Sequence, residues 1–75
     1  NFKSALQEWS QKRGLNLPKY EVNELSHEHG NPKRFFCKVH LDGEKLGQGW
    51  GGSRKDAEKK AAKNALDSME SRTEN

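Results

Sequence analysis

Phe2, Leu6 and Trp9 recur at i, i+4 and i+7. That spacing puts them on one face of a helix and predicts a first helix over residues 2–12. Gly14 ends it, and Leu15 to Pro18 is a connector in which Pro18 holds Leu17 extended. Tyr20-Glu21-Val22 alternates as a first strand. Ser26 to Lys33 is polar and carries Gly30 and Pro32, the composition of a loop. Beyond it Phe35, Cys37, Val39 and Leu41 share one parity, while Phe36, Lys38 and His40 take the other. A strand covered on one face has that period of two. Asp42-Gly43 supplies the two positive-φ positions of a tight type I′ hairpin, and Lys45 to Trp50 returns as a third strand. Gly51-Gly52-Ser53 closes it, and Ser53 with Asp56 forms a capping pair for a second helix. Ala57, Ala61, Ala62, Ala65, Leu66 and Met69 make the buried stripe of that helix, and its alanines let it lie close to the sheet. The predicted fold is α+β: an α-β-β-β-α order, with two helices on one face of a three-stranded antiparallel sheet.

Composition sharpens this picture at a few points. A chain of 75 residues is one small domain and buries only about 60% of its unfolded surface, so its core is thin. The domain is expected over residues 1–69, with 70–75 as a frayed tail. Hydrophobic residues are 29% and charged residues 33%, with a mean hydropathy of −1.26, so patterning rather than content makes the chain globular. No apolar run approaches the roughly 18 residues of a membrane span, and Asn1-Phe2-Lys3-Ser4 opens no secretory signal. The single cysteine, Cys37, rules out an internal disulfide framework and points to an intracellular protein, in nucleus or cytoplasm. Net charge is +3, with a pI near 9.2. Between Ser53 and Lys63, Arg54, Lys55, Lys59, Lys60 and Lys63 face only Asp56 and Glu58. This concentration of positive charge points to a polyanionic partner.

Candidate chemistry narrows quickly. His27, His29, Cys37 and His40 suggest a zinc site, but Cys37 and His40 are three apart on one strand and point to opposite faces. Cys37 has the parity of the core and is expected to be a core hydrophobe. No serine or cysteine stands in register with a base and a carboxylate, so no intrinsic catalysis and no cofactor are expected. Gly47-x-Gly49-x-x-Gly52 matches the dinucleotide fingerprint, but the parallel strand and acidic residue that complete such a site do not follow. Glycines before a helix start would still let backbone N–H groups approach a phosphate. Arg54 and Lys55 occupy the first helical turn, where the helix dipole disfavours cations. Their placement makes sense if an anion docks there.

The run Leu46-Gly47-Gln48-Gly49-Trp50-Gly51-Gly52-Ser53-Arg54-Lys55-Asp56-Ala57, continued by Ala61-Ala62 and Ala65-Leu66, resembles the C-terminal signature of double-stranded-RNA-binding domains. Leu6-Gln7-Glu8-Trp9, followed by Leu17-Pro18-Lys19-Tyr20-Glu21-Val22, is similar to the family's first helix and strand. The resemblance covers residues 2–69. Lys3 to Trp9 is most similar to the domain at the C-terminus of ribonuclease III-type enzymes, and dicer-like proteins are also similar. The resemblance implies RNA contacts in three regions. Gln7 and Glu8, on the outer face of the first helix, would meet 2′-hydroxyls in one minor groove. The loop between the first two strands would reach the next, through either His29 or Asn31. The family places Gly-Pro-x-His four residues before the core Phe, which here falls on Asn31, with His29 two residues earlier. Arg54 and Lys55 match the leading lysines that face phosphates across the major groove. Glu58 stands where the family has its third lysine, and Lys59 follows it.

The implied function is duplex-RNA binding by shape, through 2′-hydroxyl and phosphate contacts with little sequence preference, tethering a larger protein to RNA. The rival reading is a protein-interaction module, using the sheet face or second helix to bind a protein partner or a second copy. Trp50, where a polar residue is usual, and Phe36 lean that way. Cleavage would need a cluster of acidic metal ligands, which the chain lacks, so it would lie elsewhere in a longer parent. Arg54 and Glu58, four apart, are expected to pair on one face of the second helix.

Overall fold

A computed structural model describes residues 1–73, with side chains described through Met69. Its elements are α1 (Phe2–Lys12), β1 (Lys19–Glu24), β2 (Phe35–Leu41), β3 (Glu44–Gly51) and α2 (Arg54–Thr73). The strands form one antiparallel sheet in the order β1-β2-β3. The expected tail over 70–75 lies outside the described residues in its side chains, and in its last two residues altogether.

Local chemistry explains each boundary. The Asn1 carboxamide oxygen accepts from the N–H groups of Lys3 (3.0 Å) and Ser4 (3.3 Å), satisfying two of the first orphan donors of α1. At the other end Gly14 takes φ +69°, while Leu15 N–H donates to Ser10 O and Gly14 N–H to Gln11 O, the paired closure of a Schellman motif. The hairpin turn has positive φ at Asp42 (51°) and Gly43 (83°), as a type I′ turn requires. Ser53 Oγ accepts from Asp56 N–H at 3.1 Å and so caps α2.

The core lies between the helices and the inner sheet face. Phe35, Cys37, Val39 and Leu41 of β2 are buried, and Tyr20 and Val22 are opposite Val39 and Cys37 on β1. Leu6, Ala57, Ala61, Ala62, Ala65 and Met69 complete it from the helices. Ser10 is also wholly buried, and its hydroxyl donates to Gln7 O at 2.9 Å. On β3 the inner positions are glycines: Gly51, Gly49 and Gly47 pair with Phe35, Cys37 and Val39. A Cβ on Gly51 would lie 2.5 Å from Ala57 N, on Gly49 2.7 Å from Ala61 N, and on Gly47 2.6 Å from Ala65 N. These glycines are therefore packing positions. The spacing of Gly47 and Gly49, incomplete as a nucleotide fingerprint, has a packing explanation: their missing side chains make room for the backbone of α2. Next to them the register slips, with Val39 opposite Gly47 but His40 opposite Lys45, so Leu46 is one extra residue on β3. The bulge turns Leu46 back to pack on the core. β3 is an edge strand, and Asn64 of α2 covers part of that edge by accepting from Gln48 N–H at 3.0 Å.

Because the neighbours of Gly49 are backbone atoms and the Lys60 Cβ, which is fixed to the backbone, they cannot swing aside. Gly49→Ala is expected to destabilise the fold by about 1–3 kcal/mol, the usual cost of overpacking. Urea denaturation would show it as a lower midpoint at unchanged slope.

Candidate nucleic-acid interface

Phe35 is where the loop between β1 and β2 meets the start of α2. Its ring is almost fully covered, with the guanidinium of Arg34 5.0 Å from its centroid and that of Arg54 5.3 Å away. Arg34 in turn holds the loop. Its Nε and Nη2 donate to one Glu24 carboxylate oxygen at 3.0 and 2.9 Å, and its Nη1 lies 3.1 Å from His29 Nδ1. The hydrogen bond from Arg34 keeps the Glu24 carboxyl below the usual carboxylate range. His27 Nδ1 stands 3.4 Å from the same oxygen.

Asn31 shapes the turn from inside: its side-chain oxygen accepts from Lys33 N–H (2.9 Å) and its main-chain oxygen from Arg34 N–H (3.1 Å). That same main-chain oxygen would lie 3.5 Å from a Cβ on Gly52, so the loop rests directly against the residues that lead into α2. The loop residues Asn31 and His29 thus share one end of the molecule with Arg54 and Lys55. Asn31 is half-buried, whereas His29, Arg54, Lys55 and Lys59 are exposed. Among the described residues none of Arg54, Lys55 and Lys59 has an ion-pair partner.

The first helix joins this end through Lys3, whose ammonium donates to Glu58 Oε1 at 2.7 Å. This corrects the expected Arg54–Glu58 pair. Glu58 lies on the side of α2 that faces α1, where it is half-buried and meets a cation across the helix interface, while Arg54 turns to Phe35. Gln7 lies one turn along α1 from Lys3, on the same stripe, with Glu8 beside it, and both are exposed.

Under the ion pair, the Lys3 ammonium lies 4.9 Å from the centre of the Tyr20 ring. Burial, together with the charges of Cys37 and Glu58, pushes the Tyr20 hydroxyl up to about 12, and its oxygen is buried with no hydrogen-bond partner among the described residues. Burial and the Glu58 carboxylate also push the Cys37 thiol up to about 11. A thiol this buried and this weakly acidic is a packing group. Cys37 and His40 occupy opposite faces of the sheet, and among the described residues no three His, Cys, Asp or Glu side chains are grouped to hold a metal ion. Neither Lys3 nor Arg34 is marked by any periodicity. The one available signal was Glu58 itself, an acid in a basic run that needed a cation near it.

An α-β-β-β-α fold with this loop and helix start side by side defines a class, and the chain belongs to it: residues 2–69 match the family described as the double-stranded RNA binding motif. Within that family it is similar to Ribonuclease 3 of Prochlorococcus marinus, 59% identical over 66 residues that cover 88% of this chain and 26% of that protein. It is also similar to Ribonuclease 3 2 of Nostoc sp., 48% identical over 66 residues covering 88% of this chain and 27% of that one. The chain thus spans about a quarter of the length of these curated relatives. Among solved structures, one of Arabidopsis HYL1 superposes with a TM-score of 0.77 at 38% identity, covering 92% of this chain and 96% of that one. The chain is a double-stranded-RNA-binding module. No helix among its described residues is long and apolar enough to cross a membrane.

Two predictions follow from the Lys3–Glu58–Tyr20 cluster. Glu58→Lys should lower stability, because it sets two ammonium groups against each other across α1 and α2. The Lys3→Glu, Glu58→Lys double variant should recover part of the loss. A double-mutant cycle in urea is expected to give a coupling of about 0.5–1 kcal/mol, suited to a half-exposed pair. The second concerns alkali. A phenol whose folded pKa is raised contributes stability that is intact below its unfolded value near 10 and is lost as pH rises through about 12. Tyr20→Phe should leave neutral-pH stability equal or slightly higher, since it removes an unpartnered hydroxyl, and should flatten the fall in stability over that alkaline window. Thermal melts at neutral pH and across pH 9–12 would measure both effects.

Proposed function

We propose that this module binds one face of an RNA duplex through three regions. Gln7 and Glu8 meet 2′-hydroxyls in one minor groove, His29 and Asn31 reach the next, and Arg54, Lys55 and Lys59 clamp the phosphates between them. The observation that carries this reading is the junction at Phe35, where the loop rests on the start of α2 beside exposed cations that have no ion-pair partner among the described residues. A-form RNA has a major groove too deep and narrow for side chains to read, leaving 2′-hydroxyls and phosphates as the accessible features. A rigid unit with fixed spacing between its contacts selects that geometry over B-form DNA, and contacts to sugar and phosphate carry little sequence information. In a longer parent the module would act as a tether, delivering RNA inside the cell to an activity that resides elsewhere in the chain. Its likeness to a quarter of each Ribonuclease 3 relative supports a ribonuclease III-like parent.

The test is competition between blunt duplexes of about 20 base pairs, longer than the roughly 16 that such a module spans. RNA is expected to win over DNA of matched sequence, and equal affinity would overturn the reading. Arg54→Ala and Lys55→Ala should each weaken binding alike on unrelated RNA sequences. Each should also flatten the dependence of log K on log salt by about one unit, the contribution of one phosphate contact. Unchanged slopes with the fold intact would place the clamp elsewhere.

A further inference from the structure

The two helices cover only the inner face of the sheet. On the outer face the strand register sets Phe36 beside Trp50. Their ring centroids are 4.8 Å apart at a tilt of 40°, and neither ring belongs to the core cluster or packs against it. Trp50 is 36% exposed. Each ring has its own cation: Lys33, from the loop, brings its ammonium 5.6 Å from the centre of Trp50, and Lys38 lies 5.8 Å from the centre of Phe36. One step along the same face, Lys38 stands between Glu21 and Gln48; one step further, Lys19 and Lys45 flank His40. Among the described residues, the strand register and the ring contacts thus set four lysines on this surface against one carboxylate, Glu21. The Lys45 ammonium hydrogen-bonds the Gln48 side-chain carbonyl, which leaves its charge uncancelled.

We propose that this outer sheet face is a second nucleic-acid site, which binds single-stranded RNA. Bases stack on Trp50 and Phe36, and Lys33 and Lys38 meet the adjoining phosphates. Two features of the face select this occupant. Its positive charge calls for an anion, and the pairing of each ring with an ammonium within about 6 Å matches a polymer that alternates flat bases with phosphates. An acidic peptide would answer the lysines but offer no π-face to the rings. A duplex presents its phosphates but keeps its base faces stacked inside. Stacking on aromatic rings tolerates any base, so the site has little sequence preference. The choice of RNA over single-stranded DNA rests on the duplex-RNA reading above, in which the opposite side of the module already holds RNA. The occupancy of the face does not depend on that reading.

The experiment titrates the folded chain with an oligouridylate of about ten nucleotides, which cannot pair with itself, and follows amide and indole N–H resonances. The Trp50 indole and the amides of Lys38 and Gln48 are expected to move, while the Trp9 indole and the amides of Arg54 and Lys55 stay. Trp50→Leu, which keeps an apolar side chain but removes the stacking face, should weaken oligouridylate binding at least about fivefold and leave duplex affinity unchanged. Trp50→Phe should retain most of it. The Arg54→Ala, Lys55→Ala double variant should still bind the oligouridylate, so failure of the duplex clamp and failure of this site are separable. The proposal is overturned if the Trp50 resonance does not move or if Trp50→Leu binds as well as the parent. It is equally overturned if the oligouridylate shifts the Arg54 and Lys55 amides instead, or if an oligoglutamate displaces it from the sheet face at equal concentration. The last result would mark a surface for acidic proteins.

Discussion

The close approach of β3 to α2 is the constraint on which the rest of the molecule depends. Side chains on one face of a strand recur every two residues, about 6.7 Å, and a helix rises about 6.0 Å in four. Gly51, Gly49 and Gly47 can therefore face Ala57, Ala61 and Ala65 in step, provided the strand side has no side chains and the helix can bring its backbone against it. The mismatch of about 0.7 Å per step accumulates. Over the two steps from Gly51 to Gly47 it reaches about 1.4 Å, and beyond Gly47 the strand inserts Leu46, which packs against the core. A core this poor in large apolar residues holds together because the backbones approach closely, where many weak dispersion contacts add.

That contact also decides where the candidate interface stands. Because Gly51 is the last residue of β3 to touch the helix, α2 begins three residues later, and it does so beside Phe35, the cross-strand partner of Gly51. Arg54 consequently lies on the Phe35 ring, and the loop leading into β2 comes to rest against Gly52. Packing in the core and placement of the cations are one arrangement. A ligand recognised by shape needs this, since contacts on flexible supports would fit B-form and A-form duplexes alike.

Much of this was legible in the sequence, for reasons that differ between elements. The alternation from Phe35 to Leu41 and the turn at Asp42-Gly43 are local rules with one outcome, and both appear in the structure with their predicted parity. The alanine stripe of α2 was equally plain. The packing role of the glycines was not legible, because a spacing of two residues serves a phosphate loop and a packed strand alike, and only the partner across the gap distinguishes them. The bulge at Leu46 was invisible, since nothing in a hydrophobic pattern marks one extra residue. The Lys3–Glu58 pair was missed for the same reason as the Arg34–Glu24–His29 group. Long-range ion pairs join residues whose proximity is set by how elements pack, here 55 positions apart in the chain. The parity of Trp50, ambiguous beside three glycines, was resolved only by its register with Phe36.

Glu58 shows how charge is apportioned between folding and binding. A carboxylate among cations that face phosphate would repel the ligand over roughly a Debye length, about 8 Å at physiological salt. Bound to the Lys3 ammonium at 2.7 Å, it forms a neutral pair whose field falls off faster than that of a lone charge. The pair sits over the Tyr20 ring and the buried thiol of Cys37, where an unpaired carboxylate would be poorly solvated. The acid thus forgoes the direct phosphate attraction a lysine would supply and instead fixes the position of α1 against α2. On the proposed reading that position matters as much as charge, because Gln7 rides one turn along α1 from Lys3. A contact to a 2′-hydroxyl is short-ranged and directional, so its strength depends on where the helix that carries it is held. On the same proposed reading, phosphate attraction falls to Arg54, Lys55 and Lys59, which have no ion-pair partner among the described residues and need only be near the groove to act.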